Sequence, residues 1–157
     1  MTARIIALCN QKGGVGKSTT TFHLARAAVL RGQRVLVVDN NPHGNLTSVA
    51  AAEPVDDDQA GLADALSSRA PETIRDVIVA GVWPGLDVVP TSGTTLGYVR
   101  QYYNPGLRVL APPIPKRVVI SDATEAARGL DEWGSAEATS LGAIYADHLT
   151  SIEGVQS

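Results

Sequence analysis

Cysteine, methionine and aromatic residues are scarce in this sequence. Its 157 residues include one cysteine, one methionine and one phenylalanine, and aromatic residues make up 4% of the chain. A single cysteine, Cys9, cannot form an intramolecular disulfide or a thiolate metal cage. No apolar run approaches the roughly 20 residues that span a bilayer, and the N-terminus has no signal-peptide pattern. We therefore expect a reduced, cytoplasmic protein without a membrane anchor.

The rest of the composition is that of a globular domain. Hydrophobic residues make up 44% of the chain and charged residues 18%, with a net charge of −3. This balance excludes intrinsic disorder and a long coiled coil. Since one domain takes roughly 100–200 residues, we predict a single domain over residues 1–157.

Two apolar runs near the N-terminus have the composition of strands buried on both faces. They are Arg4–Asn10 and Arg34–Asp39, and the stretch between them, Lys17–Arg31, has helical periodicity and stops at Gly32. A strand, a helix and a strand in this order form a βαβ unit with parallel strands. The sequence therefore predicts an α/β fold, a parallel sheet flanked by helices. The apolar stripe of the predicted helix consists of Phe22, Ala25 and Val29.

Weaker patterns follow along the rest of the chain. Asp122 and Glu125 have the spacing of a capping box, which favours a helix that begins at Asp122 and stops at Gly129. The predicted elements are a loop over 40–45, a short helix over 61–68, a strand over 86–90, a helix over 122–128 and a final helix over 135–149.

A glycine-rich loop joins the first predicted strand to the first predicted helix. Its glycines allow the backbone to wrap a polyphosphate with amide N–H groups pointing inwards, and the helix N-terminus adds a partial positive charge. Lys17 would supply a point charge to the β- and γ-phosphates, and the Ser18 hydroxyl suits a magnesium ion. We therefore predict a P-loop fold that binds ATP or ADP with Mg²⁺. The predicted nucleotide-binding residues are Gly13, Gly14, Val15, Gly16, Lys17, Ser18 and Thr19.

The loop differs from the standard P-loop at two positions. Gln11 stands where the first glycine is usual, and an extra lysine, Lys12, follows it. Together these residues resemble the deviant Walker A loop, Lys-Gly-Gly-x-Gly-Lys-[Ser/Thr], of the ParA/MinD ATPases. The resemblance implies that Lys12 crosses a dimer interface to the nucleotide of the other subunit. The alternative is an ordinary solvated loop lysine.

The sequence after the second predicted strand resembles the partition branch of that superfamily. Asp39–Asn45 is similar to the motif Asp-x-Asp-Pro-Gln-Gly-Asn, and family-like blocks cover about residues 1–97 and 107–150. MinD-like relatives end in a basic membrane helix, whereas residues 144–157 contain no lysine or arginine. Iron–sulfur relatives need cysteine ligands that this chain lacks.

The resemblance also assigns roles in hydrolysis. It implies that Asp39 supports magnesium through water, although a carboxylate at a strand end can instead serve as a cap. The family's second carboxylate, which helps to position the attacking water, corresponds to Asn41, whose amide is a much poorer proton acceptor. His43 stands where glutamine is usual, and a neutral histidine could accept a proton. The catalytic residues implied are Lys12, Asp39 and Asn41.

The family's Walker B strand, an apolar run that ends in Asp and is followed closely by proline, is not found. The chain resembles a partition protein that lacks a middle segment between about Gly97 and Gly106. Arg117–Asp122 imitates such a strand, but the capping pattern favours a helix start there. We therefore expect fewer strands than in the full family fold. The sheet would then be smaller, be completed by another subunit, or leave apolar surface exposed.

A basic stretch contains the candidate DNA-binding residues. No acidic residue occurs from Val88 to Ser121, whereas Arg108, Lys116 and Arg117 do, with tyrosines nearby. ParA-type proteins bind DNA nonspecifically through basic side chains, so the resemblance implies DNA contacts at these three residues. A solvated loop explains them equally well. The family's adenine-binding loop corresponds to residues 112–114, which makes Pro113 a predicted nucleotide contact.

The sequence leaves three functions open. The first is a ParA-type partition ATPase, a nucleoid-associated homodimer or higher assembly that binds nonspecific DNA and is stimulated by a ParB-like partner. The second is a nucleotide-binding scaffold or regulatory subunit that hydrolyses little ATP. The third is a P-loop kinase of small molecules, which Lys12 and the Asp39–Asn45 motif disfavour.

Overall fold

The computed structural model describes residues 3–10, 12–56, 58–67, 71–91 and 112–154. These residues form a small α/β structure with a sheet flanked by helices, as the sequence predicts. None of the described helices is both long and apolar enough to cross a membrane. The helices are α1 (Lys17–Leu30), α2 (Thr47–Ala50), α3 (Leu62–Leu66), α4 (Val118–Glu125) and α5 (Ala136–Glu153), and a 3₁₀ turn spans Leu130–Glu132. The strands are β1 (Val35–Val38), β2 (Val79–Ala80) and β3 (Leu86–Val89).

The sheet has three strands in the order β1–β3–β2. β1 runs parallel to β3, with Val35 opposite Leu86 and Val38 opposite Val89. β2 is antiparallel to β3, so the sheet is mixed. The two parallel strands end at the same edge, and their carboxyl ends bring Asp39 close to the backbone of residues 89–91.

The predicted first strand, Arg4–Asn10, is not formed. These residues have no regular secondary structure; the Ile5 side chain is 92% exposed, and Leu8 packs only partly against the core. A strand needs a neighbour for its backbone hydrogen bonds, and no described strand lies beside the free edge of β1. The expected βαβ unit is therefore absent, and the parallel partner of β1 is β3.

The helix predicted to begin at Asp122 begins four residues earlier. α4 starts after Arg117 and places Asp122 in its interior, so both the cap at Asp122 and a strand over these residues are wrong. Ile120 explains the earlier start, because its side chain is buried in the core cluster against α1 and α5. Tertiary burial therefore outweighs the local capping pattern.

The other helix predictions are confirmed within a few residues. α1 ends just before Gly32, whose φ of 73° is left-handed backbone that favours glycine. The predicted final helix is α5; Ser135 is its N-cap, and the hydroxyl accepts a hydrogen bond from Ala138 N at 3.1 Å. The helix continues to Glu153, whose carboxylate accepts hydrogen bonds from Arg31 and Gln33.

Helix α1 is buried on two sides. Phe22 and Ala25 face the sheet and pack with Val37, whereas Leu24 and Ala28 belong to the cluster formed with α4 and α5. The predicted stripe of Phe22, Ala25 and Val29 thus faces the sheet. A second apolar face of α1 packs against the C-terminal helices α4 and α5.

A charged network joins α1 to the 3₁₀ turn. Arg26 Nε donates to Asp131 Oδ1 at 2.9 Å, and its guanidinium lies 4.8 Å from the centre of the Trp83 ring. Trp83 Nε1 donates to Glu132. Hydrogen bonding to Asp131 raises the pKa of Arg26, and the guanidinium lowers the pKa of Asp131, so both groups stay charged at neutral pH. The network fixes the turn before α5 against α1.

We predict that Gly129→Ala destabilises the protein by breaking this network. A Cβ at Gly129 would lie 2.4 Å from Asp131 Oδ1 and 2.8 Å from Arg26 Nε, so the paired side chains would have to separate. Overpacking of this kind typically costs about 1–3 kcal/mol. Urea denaturation followed by far-UV circular dichroism measures the change.

The matched control is Gly142→Ala in the middle of α5. A Cβ there meets only Leu130 Cβ at 3.6 Å, an ordinary contact. Because alanine is a better helix former, we expect this variant to gain roughly 0.5–1 kcal/mol. Equal unfolding midpoints for the two variants would contradict the proposed role of Gly129.

Candidate nucleotide-binding site

The glycine-rich loop ends at a helix N-terminus suited to an anion. Gly14 and Gly16 have φ angles of 68° and 80°, left-handed conformations that favour glycine. α1 begins at Lys17 with Gly16 as its N-cap, and its first turn contains no acidic side chain. The first-turn N–H groups therefore have neither a capping side chain from Gly16 nor an acidic neighbour within the turn. Bound phosphate oxygens would satisfy them.

Two lysines meet at this loop. Lys17 Nζ donates to the backbone carbonyl of Lys12 at 3.3 Å, so its ammonium group lies over the loop itself. Asn10 Oδ1 accepts from Lys12 N at 2.9 Å and holds the entry to the loop. Both lysine residues are accessible to solvent, and their positive charges are available to a polyphosphate.

The N-terminal part of α1 is held from behind by α5. Tyr145 of α5 is 2% exposed, belongs to the same core cluster as Leu24, and has its ring centre 5.1 Å from that of His23 on α1. Burial raises the pKa of the Tyr145 phenol to about 12, so the group remains protonated. α5 therefore supports the helix that presents the loop.

His23 provides a second link from α1, this time to α4. Thr124 Oγ1 donates to the Ile120 carbonyl at 2.7 Å, which leaves its oxygen free to accept from His23 Nε2 at 3.0 Å. Burial lowers the pKa of His23 to about 4, so the ring is neutral at pH 7. Its contacts are structural, and sequence analysis had assigned it no role.

Asp39, directly after β1, is a buried carboxylate with four hydrogen bonds. Oδ2 accepts from Leu46 N at 3.2 Å, from Thr47 N at 2.9 Å and from Thr47 Oγ1 at 3.0 Å, while Oδ1 accepts from Asn41 N at 3.1 Å. Asp39 therefore caps the start of α2, as the alternative expectation had it. No arginine, lysine or histidine among the described residues forms an ion pair with it.

Asn41 and His43 lie together in the loop after Asp39. The Asn41 side-chain oxygen accepts from His43 N at 3.2 Å, which closes a local turn. Asn41 is half-buried, and His43 is exposed. The Asn41 amide therefore stabilises the loop conformation. The role of Asn41 in positioning the attacking water stays a prediction.

The chemistry of the donor set fits magnesium. Mg²⁺ usually keeps several waters and binds through one or two protein oxygens together with substrate phosphates. Ser18, in the first turn of α1, offers a hydroxyl oxygen, and Asp39 Oδ1 accepts one hydrogen bond from the part of the chain that the structure describes, although a carboxylate oxygen has two lone-pair directions. Within the described ranges there is no group of three or more His, Cys, Asp or Glu side chains that could hold a metal without phosphate. Ser18 and Asp39 are thus the residues that would hold magnesium or its waters.

The other predicted site residues that the structure describes, Pro113, Lys116 and Arg117, are not part of the contacts given for the phosphate loop and Asp39. Pro113 is exposed; the neighbouring Pro112 carbonyl hydrogen bonds with His148 Nε2 at 2.6 Å, which ties this segment to α5. Lys116 and Arg117 are exposed before α4, and Arg117 Nε lies 3.3 Å from Glu137 Oε1. Arg108 lies outside the described residues. The adenine and DNA assignments remain predictions.

A glycine-rich loop, a Lys-Ser pair and an uncapped helix N-terminus in this order define a P-loop nucleotide-binding protein. Comparison with known families agrees, because residues 3–103 match the family model AAA_31, described as an AAA domain. The chain belongs to this family of ParA/MinD-type P-loop proteins, in its partition branch.

Three of the similar proteins have names that state a role. The sporulation initiation inhibitor protein Soj of Bacillus subtilis is 37% identical over 125 residues, which cover 80% of this chain and 45% of Soj. The chromosome partitioning protein ParA of Caulobacter vibrioides is 39% identical over 94 residues, 60% of this chain and 34% of that protein. The chromosome-partitioning ATPase Soj of Thermus thermophilus is 60% identical over 45 residues, 29% of this chain and 18% of that ATPase. The chain thus spans less than half the length of these relatives.

We predict that Lys17→Ala abolishes measurable ATP binding while the fold survives. The change removes the point charge expected at the β- and γ-phosphates. The described hydrogen bond of the Lys17 side chain is to the exposed carbonyl of Lys12, so its loss should leave the fold intact. Titration calorimetry with ATP measures the affinity, and circular dichroism checks the fold. Lys116→Ala, an exposed lysine outside the loop, should bind ATP as the wild type does. Unaltered affinity in Lys17→Ala would contradict the assignment of the loop.

Proposed function

We propose that this chain is a ParA-type ATP-binding protein for partition of plasmid, phage or chromosomal DNA. The observation that carries the proposal is the loop at the start of α1, where left-handed glycines, Lys12 and Lys17 surround an uncapped helix N-terminus. ATP would bind there with Mg²⁺ and pair two subunits through Lys12. The Caulobacter and Thermus relatives are chromosome-partitioning proteins, which supports partition as the process.

The ATP-bound dimer would then bind DNA without sequence preference. Lys116 and Arg117 support this step because both are exposed at the start of α4, and the exposed Arg117–Glu137 pair is weak enough to exchange for a phosphate. A ParB-like DNA-binding protein would stimulate hydrolysis and release the dimer. The protein would accordingly be found in the cytoplasm, on the nucleoid.

Hydrolysis in this proposal is slow. Asn41 replaces the carboxylate that helps to position water in the family, and its side-chain oxygen is engaged by His43 N. General acid–base assistance contributes roughly 100- to 10,000-fold to a rate, so its loss would lengthen the ATP-bound state. Bound nucleotide would then persist until a partner acts.

A second function is favoured by two observations on the described residues. Arg4–Asn10 lies outside the sheet, and Asn41 carries no charge. A chain with these features could bind nucleotide and co-assemble with a partner as a scaffold or regulatory subunit without turning ATP over. A small-molecule kinase has less support, because none of the described contacts and none of the three named relatives favours it.

The dimer is tested by Lys12→Ala. We expect this variant to bind ATP almost as well as the wild type but to lose nucleotide-dependent self-association and DNA binding, because Lys12 would serve the other subunit's phosphates. Sedimentation velocity with a nonhydrolysable ATP analogue, with and without duplex DNA, measures both properties. Lys116→Ala should still dimerise. A wild type that stays monomeric with the analogue would contradict the nucleotide-bridged dimer.

Asn41→Asp distinguishes the ATPase from the scaffold. We expect single-turnover phosphate release to rise at least severalfold with little change in ATP affinity, because a carboxylate accepts a proton far better than an amide. His43→Ala is the matched variant in the same turn and should leave the wild-type rate unchanged. If neither the wild type nor Asn41→Asp releases phosphate, the scaffold function is preferred.

A further inference from the structure

The hydroxyl of Thr47 makes two hydrogen bonds that tie together the carboxyl ends of β1 and β3. Thr47 is 6% exposed, and its Oγ1 accepts from Thr91 N at 3.1 Å, two residues after β3 ends. Because a backbone N–H can only donate, the hydroxyl accepts there and its own hydrogen is free to donate. It donates to Asp39 Oδ2 at 3.0 Å.

These bonds divide the two oxygens of Asp39 between different tasks. A carboxylate has about four lone-pair sites in all. From the described residues, Oδ2 accepts three hydrogen bonds, two of them from Thr47, whereas Oδ1 accepts one, from Asn41 N. Oδ2 is therefore occupied by the protein, and Oδ1 is the oxygen with capacity for a cation or its water.

We propose that Thr47 is a positioning residue that orients the Asp39 carboxylate, so that Oδ1 is presented to nucleotide-bound magnesium. The inference rests on the proposed function, since it assumes that Asp39 serves a magnesium ion at this P-loop. The Thr47 hydroxyl makes the orientation of Asp39 depend on β3 as well as on its own strand. Without the hydroxyl, Oδ2 loses one of its three donors and Thr91 N loses its acceptor.

The magnesium dependence of nucleotide binding distinguishes a positioning role of Thr47 from a purely structural one. Hydrogen-bonding partners that orient a metal ligand typically contribute about 10- to 100-fold to metal affinity. Loss of the Thr47 hydroxyl should therefore raise the Mg²⁺ concentration for half-maximal effect about tenfold, while ATP affinity in EDTA stays the same. A side chain with only a structural role would lower the melting temperature without moving this concentration.

The experiment compares Thr47→Val with Thr47→Ser. A fluorescent ATP analogue is titrated into each 157-residue variant in EDTA and at increasing Mg²⁺, and melting temperatures are recorded alongside. Valine keeps the shape and removes the hydroxyl, whereas serine keeps the hydroxyl, so only Thr47→Val should shift the Mg²⁺ midpoint. If the valine variant does not fold, Thr47→Ala removes the hydroxyl without placing a methyl group against the carboxylate.

Three results overturn the proposal, and they differ in what else they overturn. If the hydroxyl-free variant keeps the wild-type Mg²⁺ midpoint, the positioning role is wrong and nucleotide binding stands. If Thr47→Ser shifts as much as Thr47→Val, the packing of the methyl group determines the midpoint rather than the hydroxyl. If the wild type binds the analogue neither in EDTA nor in Mg²⁺, the proposed function fails together with this inference.

Discussion

Burial of α1 on two opposite faces is the constraint on which the rest of the structure depends. One face packs on the sheet through Phe22, and the other packs on α4 and α5 through Leu24. The same helix presents the phosphate loop at its first residue. The loop is therefore attached to a helix that the core holds from both sides. A polyphosphate site gains from this arrangement because the amide N–H groups are held in place before the ligand arrives.

Asp39 shows how a single charge can serve structure and chemistry together. Its carboxylate is 3% exposed, and neutral donors rather than cations surround it in the described part of the chain. A buried anion without a cation is costly unless hydrogen bonds compensate, and here four of them do. Through these hydrogen bonds the group holds the loop after β1 in place. The cap at α2 and the prospective magnesium site are therefore two uses of one side chain.

Sequence patterns predicted the elements that are determined locally. The periodicity of α1, the apolar runs of β1 and β3, and the final helix α5 appear in the structure within a few residues. The run at Arg4–Asn10 failed because a strand is defined by its neighbours, and no described strand lies beside the free edge of β1.

For the site, too, a pattern of consecutive residues can be read from the sequence, whereas contacts between distant residues cannot. The loop before Lys17 could be read from consecutive residues, because its chemistry is contained in them. The contacts of Asp39 could not, because they join positions up to eight residues away and, through Thr47, reach Thr91 44 residues later in the chain. The Arg26–Asp131 pair, 105 residues apart, is likewise invisible to any local pattern.

The two tryptophans lie in different surroundings, and this gives the protein two internal optical reporters. Trp83 is 5% exposed, with the Arg26 guanidinium over its ring and the Glu132 carboxylate on its indole nitrogen. Trp133 is half-buried, with Arg128 5.6 Å from its ring centre. Indole emission depends on nearby charge and on solvent, so the two residues contribute different parts of the fluorescence spectrum. A solute quencher such as iodide should reduce the emission of the half-buried Trp133 more than that of the buried Trp83. One sample would therefore report separately on the sheet-facing core and on the edge of the helical layer.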